Sequence, residues 1–390
     1  MNDASATDDT RCAFCGHACP LEPVTEDDEG ADPDRVFCSR ACRDAFRENE
    51  DGSRREAGHR TLETGVAALE ASLPQGLPRN SFVLLVGNSG TREEAIQAEL
   101  VWRALERGEP AIVVAFTEPP TSVVENFLAM DWNVLPYLES GQLRVLDCFT
   151  SRMDDPERLH DRMTEWNTHL RRVVEPQTAT VRDPSDAHEV LNVLDNGLED
   201  LEMIETGLVV VDSIAEFASL VQPVQAYDFV RDARAEVCKG RFVPLIAGGT
   251  VAGGEEVFPR NLAYAVDGVI DLALDNSIVE DTLFRRLRVR KLRGVLAISE
   301  WHTYEYTSGL GMVTFDPLEE LEGERGDGGG GQDGNGEGEG GEGADAEKTS
   351  GKGADKASGT NDETGGTNDP RDDVDGGERI DEPHVEERNS

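Results

Sequence analysis

The sequence predicts an α/β protein, with a mostly parallel sheet flanked by helices over residues 58–316, a small cysteine-bearing segment over residues 1–51 and a disordered acidic tail over residues 317–390. Three observations predict it. Short runs rich in Val and Ile alternate with helix-like segments through the middle of the chain, as expected for strands buried on both faces with helices between them. Five of the seven cysteines fall within the first 42 residues. From about residue 317 the chain is dominated by Gly, Asp and Glu and holds almost no large apolar residue.

In the middle zone FVLLVG (82–87), AIVVAF (111–116), LRVLDCF (143–149), LVVVDSI (208–214) and PLIAGG (244–249) have the length and composition of buried strands. Between them REEAIQAELVWRALERG, PTSVVENFLAM and AHEVLNVLDNGLEDLEMIE carry helical patterns. GVIDLAL, FRRLRVRKLRG and WHTYEYTS then read as strands of a mixed or antiparallel extension. The tail, including GERGDGGGGQDGNGEGEGGEG, cannot offset its ordering entropy by burial and is expected to be disordered.

The chain carries 79 acidic against 37 basic residues, a net charge of -42. The stretch Asp316–Ser390 holds 24 acids and 7 bases, so the rest of the chain keeps a net charge of -25. Before the tail the only lysines are Lys239 and Lys291. This balance resembles the proteome of an extreme halophile, where screening over about 3 Å at 1 M salt makes dense carboxylates tolerable; a mesophilic acidic protein is the alternative. It argues against direct, sequence-independent nucleic-acid binding, which needs clustered Lys and Arg. No apolar run approaches the roughly 20 residues that span a bilayer. The start MNDASATDDT has no basic segment followed by an apolar one. A cytoplasmic protein with no membrane partner is expected, and a reducing compartment favours metal binding over disulfides.

Cys12 and Cys15 are separated by two residues, Cys38 and Cys42 by three. Two close thiolate pairs suit tetrahedral zinc, and Gly16 permits the tight turn that aims backbone N–H groups at sulfur. The second pair is placed on the first turn of a helix through ACRDAFREN, whose positive end favours thiolates. His17 and Cys19 are surplus, as a surface histidine and a free cysteine or as alternative ligands. With Phe37, Cys38, Ser39, Cys42 and Phe46 in place, the segment resembles a treble-clef zinc finger of the TRASH/MYM type. A folding zinc, a metal or redox sensor and a partner-docking finger remain alternatives. The acidic stretch LEPVTEDDEGADPD between the pairs disfavours direct DNA reading.

From Thr64 to Phe315 the order of parts resembles KaiC/RadA-type ATPases of the RecA superfamily: TGVAALEASLPQGLPRNSFVLLVG leading into a loop, then AFTEPPTSVVENFLAMDWNVLPYLESGQLRVLDC, LVVVDSIAEF, and DGVIDLAL with RVRKLRG. The resemblance implies a RecA-like fold with a phosphate-binding loop G-x-x-G-x-G-K-[ST] at GNSGTREE. Gly87, Gly90 and Thr91 fit that pattern, but Arg92 replaces the third glycine, Glu93 the lysine and Glu94 the Ser/Thr. A unit like-charge pair at 4 Å costs about 4 kcal/mol at an effective dielectric of 20, so these acids should repel a triphosphate. Thr117 and Glu118 stand where the family has paired acids that orient water, so the first acid is absent. Asp212 keeps the metal-supporting aspartate position, with a turn or capping role as the alternative. Lys291 and Arg293 match the pair that reaches a neighbouring subunit's γ-phosphate, with an ordinary basic strand as the alternative.

These readings converge on a regulatory or scaffolding pseudo-ATPase that holds zinc, does not bind Mg-ATP in the family's manner and acts through a protein partner, an active RecA-like homologue or a second copy of itself. The alternatives are a weak nucleotide-binding ATPase using Arg92 and Asp212, and a metal- or redox-responsive signalling or transcriptional adaptor using the finger.

Overall fold

A computed structural model of the protein describes residues 11–14, 19, 23–25, 35–48, 61–155, 158, 162–250, 260–278 and 282–319. The disorder expected of the tail lies outside the described residues from position 320 onward.

In the N-terminal segment β1 (Val24–Thr25) pairs antiparallel with β2 (Val36–Phe37), and α1 (Arg40–Glu48) follows. The Phe37 and Phe46 rings pack 5.3 Å apart, so the two aromatics of the FCS-x-x-C pattern form the apolar seam between β2 and α1.

Within the larger region β3 (Thr61–Leu62) and β4 (Leu77–Pro78) bracket α2 (Ala67–Ser72). FVLLVG forms β5 (Phe82–Gly87), which leads through GNSGTR into α3 (Glu93–Glu106). Next come β6 (Ala111–Ala115), α4 (Pro120–Ala129), α5 (Leu135–Glu139) and β7 (Leu143–Asp147). They are followed by α6 (Glu165–Val174), β8 (Thr178–Thr180), α7 (Ala187–Asp200) and β9 (Leu208–Asp212). The rest comprises α8 (Ile214–Leu220), α9 (Pro223–Ala233), β10 (Leu245–Thr250), β11 (Gly268–Asp275), β12 (Phe284–Leu292), β13 (His302–Thr307) and β14 (Gly311–Phe315). Helix starts follow from local chemistry: Thr164, Asp186 and Ser213 each accept a backbone N–H of the first turn, and prolines open α4 and α9.

Ten strands form one sheet in the order β14-β13-β12-β11-β5-β10-β9-β6-β7-β8. From β11 to β8 neighbours run parallel; β12, β13 and β14 are the antiparallel extension. Strand β5 shows why the runs are continuously apolar. Phe82, Leu84 and Val86 enter one core with α7, α8 and α9, whereas Val83 and Leu85 enter the other with α2 to α6. Both faces are dry, so each of these side chains contributes about 1.5–3 kcal/mol by burial.

This topology gathers the carboxyl ends of β5, β10, β9 and β6 in one crevice. Gly87 lies beside Thr250, and Asp212 beside Ala115. Ligands of open α/β sheets bind at such carboxyl ends. Behind the crevice, Gln97 of α3 donates to Val211 O at 3.0 Å, and its amide packs so closely on Gly248 that an added Cβ would lie 2.6 Å from Nε2. Gly248 therefore lets α3 settle onto β10.

Candidate functional site

The sulfurs of Cys12, Cys38 and Cys42 lie within 4.8 Å of one another, and those of Cys38 and Cys42 are 3.5 Å apart. Tetrahedral zinc with Zn–S bonds near 2.3 Å separates its sulfurs by about 3.8 Å, so the three thiols fit three corners of a zinc site. Ser39 sets the local geometry: its hydroxyl accepts from Cys42 N–H at 3.1 Å, holding Cys42 in the first turn of α1. Cys15, the expected fourth ligand, and His17 lie outside the described residues. Cys19 is described and is not part of the three-sulfur group.

The loop keeps glycine-like backbone turns while Arg92, Glu93 and Glu94 stand at its last three positions. A Cβ at Gly87 would collide with Thr91 Oγ1, and Gly90 has φ +93°. Arg92 adopts φ 57° and ψ 48°, so an exposed arginine holds the left-handed conformation that suits glycine, at a cost of about 1–2 kcal/mol. The Thr91 hydroxyl donates to Asn88 O at 2.8 Å within the loop. Two side chains from the antiparallel extension pin the loop from outside: Arg285 Nε donates to Gly90 O at 3.0 Å and Tyr304 Oη to Thr91 O at 2.5 Å. Arg285 also pairs with Glu305. Sequence reasoning did not single out these two residues, because they act across 195 and 213 positions and carry no local motif.

Glu93, at the lysine position, is 8% exposed and accepts from Thr250 Oγ1 at 2.8 Å, while its Oε2 is buried without a partner. The sequence predicted two carboxylates facing a triphosphate, but consecutive helical residues diverge by about 100° and only Glu94 remains exposed. Burial pushes the Glu93 carboxyl up to about 7, with Glu94 and Asp212 adding repulsion against the Thr250 bond. Glu118 is also pushed up to about 7, by burial and then by Asp212, Glu94 and Glu125, while Asn126 donates to it and opposes the shift. Asp212 ends β9 and accepts from Thr117 Oγ1 at 2.8 Å; burial raises its pKa too. Glu94, Gln97, Glu118, Asn126 and Asp212 line a cavity of only about 30 Å³. The crevice has thus become an acidic, proton-retaining site in which Thr117 occupies an oxygen of the retained aspartate.

Lys291 and Arg293 lie at the opposite end of the sheet. Lys291 pairs with Val269, which lies beside Leu84 in β5, and Arg293 N–H donates to Asp267 O at 3.0 Å near the start of β5. At about 3.3 Å per residue, Arg293 is set back from Gly87 by roughly 15 Å along the strands. The Lys291 ammonium donates to Ala263 O at 2.7 Å and Val266 O at 2.8 Å. Lys239 likewise caps Asn80 O at 2.6 Å and meets Asp267 at 3.1 Å. A compact ammonium can converge on adjacent carbonyls where a planar guanidinium cannot, which explains two lysines in an arginine-rich region. Arg293 is exposed.

A family model described as the KaiC ATPase matches residues 62–319. The chain belongs to the KaiC-like ATPase family. A UPF0273 protein of Methanopyrus kandleri is 30% identical over 267 residues, covering 68% of this chain and 96% of that protein. A UPF0273 protein of Pyrococcus horikoshii is 29% identical, covering 66% and 94%. The fold is shared with the solved structure of a KaiC-like protein of P. horikoshii, with a TM-score of 0.51 at 17% identity over 66% of this chain and 99% of that one. Residues 6–46 match the MYM-type zinc finger with FCS sequence motif, in agreement with the sulfur cluster. This KaiC-like chain therefore joins a finger to a RecA-like core, and among its described residues no helix is long and apolar enough to cross a membrane.

Two outcomes follow from these sites. Purified in reducing buffer, the protein should hold about one zinc per chain, and Cys12→Ser or Cys38→Ser should release it; metal analysis showing none with the segment folded would refute the site. The second concerns Glu93. Its folded-state pKa is raised from 4.5 to about 7, so the folded form retains a proton that the unfolded form has lost. Its stabilising effect is complete below pH 4.5 and disappears as pH rises through 7. Denaturation curves should show wild type losing roughly 1–3 kcal/mol more than Glu93→Gln across that window. Equal losses would place the Glu93 carboxyl in water.

Proposed function

We propose that the protein is a regulatory or scaffolding pseudo-ATPase acting through protein contacts, in the cytoplasm of a halophile. The observation that carries this reading is the Glu93 carboxyl, buried against Thr250 where phosphate binding requires an ammonium group. A second negative side chain, Glu94, stands where the metal-binding hydroxyl is needed. Triphosphate would lose its lysine and meet the exposed Glu94 carboxylate. The left-handed Arg92 directs its side chain from a position that otherwise brings bare backbone against phosphate, so it does not replace the lysine. The weak-ATPase reading, which relies on Arg92 and Asp212, is correspondingly less favoured.

The partner reading draws on Arg293. It is exposed and remote from its own loop, so its guanidinium suits the phosphate site of a neighbouring RecA-like subunit better than its own. Lys291 contributes by holding the turn before β11 through its two carbonyl bonds. The cysteine cluster supports a further role for the finger as a metal- or redox-responsive adaptor, with zinc as its cofactor.

The loop is tested by rebuilding it. Arg92→Gly, Glu93→Lys and Glu94→Thr together should create saturable Mg-ATP binding absent from wild type; a rebuilt loop that still binds nothing would mean that these substitutions are not what disables the site. On the partner side, pull-down at high salt should recover a RecA-like protein with an intact lysine loop. That protein's ATPase should rise when this chain is added and fall back with Arg293→Ala. Arginine fingers contribute about 10³–10⁵ in rate in other phosphoryl-transfer systems, so equal rates with wild type and variant would eliminate the trans role.

A further inference from the structure

A second cavity lies at the far edge of the parallel sheet, separate from the phosphate loop. It has a volume of about 150 Å³ and is lined by Asp147, Arg171, Glu175 and four threonines, with proline, valine and methionine completing its wall. Asp147 ends β7 and is paired in register with Thr180 of β8, while Thr178 shares that face two residues earlier. Thr121 enters from the first turn of α4 and Thr150 from the turn after β7.

The Asp147 carboxylate is 4% exposed and only half satisfied. Its Oδ1 accepts from Phe149 N–H at 3.0 Å and Thr150 N–H at 2.9 Å, whereas Oδ2 has no hydrogen-bond or ion-pair partner among the described residues. Oδ2 is accessible rather than sealed in, so it can take a cationic donor from a ligand within the cavity. Arg171 does not supply it. Its guanidinium sits at the rim, 36% exposed, 3.6 Å from Glu175. The cavity therefore has the Asp147 carboxylate inside, the loosely paired Arg171 and Glu175 at its mouth and threonines between them. Thr178 already donates to Val174 O at 3.0 Å and can still accept a bond.

Size narrows the ligand. The volume lies below the roughly 300–1,000 Å³ of pockets for drug-sized ligands, so the cavity suits a small ligand better than a nucleotide. We propose that this cavity binds a small zwitterion of amino-acid size, its ammonium group on Asp147 Oδ2 and its carboxylate on Arg171. The ammonium satisfies the accessible oxygen, the carboxylate draws Arg171 from its long contact with Glu175, and the apolar wall takes a small aliphatic side chain. No covalent step is involved. A KaiC-like core whose phosphate loop no longer answers to ATP would keep, in this cavity, a site responsive to a metabolite.

The test uses the full-length, zinc-loaded protein in concentrated KCl. Each common amino acid, with ethanolamine and glycerol as controls, is titrated while the melting temperature is followed, and hits are measured by calorimetry. At least one amino acid should stabilise the protein saturably, and Asp147→Asn, which keeps the Oδ1 bonds, should weaken it by at least about tenfold, the scale of a charge-assisted bond. Arg171→Met, at the rim and away from the core, should weaken it similarly and covers the case in which the Asp147 variant fails to fold. Ethanolamine, lacking the carboxylate, should bind far less tightly. The proposal is overturned if no amino acid stabilises the protein, if Arg171→Met leaves affinity within about twofold of wild type, or if ethanolamine equals the best amino acid.

Discussion

The positive amino end of α3, set at the carboxyl end of β5, is the constraint on which the rest of the site depends. A helix N-terminus with free N–H groups attracts negative charge, and in a phosphate loop the ligand supplies it. Here Glu93 and Glu94 fall in the first turn, Glu94 exposed and Glu93 buried with its carboxyl pushed up to about 7. A carboxylate at this point, such as that of the exposed Glu94, gains the favourable interaction of an anion with a helix amino end. Glu93 then needs somewhere to go, and Thr250, brought beside Gly87 by the parallel pairing of β5 and β10, receives it.

Fixing the loop follows from the same arrangement. The loop carbonyls of Gly90 and Thr91 take donors from Arg285 of β12 and Tyr304 of β13. The antiparallel extension thereby becomes a brace for the loop. Glu99, one helical turn beyond Ala95, continues the contact: it accepts from Met312 N–H at 2.9 Å, and Arg103 links it to Leu310 O. Loop, α3 and extension form one hydrogen-bonded unit.

Much of this was legible in the sequence. The doubly buried strands announced themselves by continuous apolar runs, and the sulfur cluster by paired cysteines with Phe37 and Phe46 at fixed offsets. What escaped was short or long-range. Thr178–Thr180 is too brief and too polar to mark a strand, and its place at the sheet edge is set by pairing with β7. The inward turn of Glu93 depends on Thr250, which is 157 positions away. Lys291 stood out by rarity, and the structure gives that rarity a local cause, two backbone carbonyls converging on one ammonium. Asp147 gave no signal, because an aspartate closing a strand looks the same whether its second oxygen is satisfied or not.

The central claim is that carboxylates of the chain itself have replaced phosphate at the head of α3. It is tested most directly by calorimetric titration of wild-type, zinc-loaded protein with Mg-ATP in multimolar KCl. The account predicts no saturable heat in the micromolar range, at pH 6 as at pH 8. Tight stoichiometric binding would contradict it, because triphosphate could then be held without the lysine and against Glu93 and Glu94.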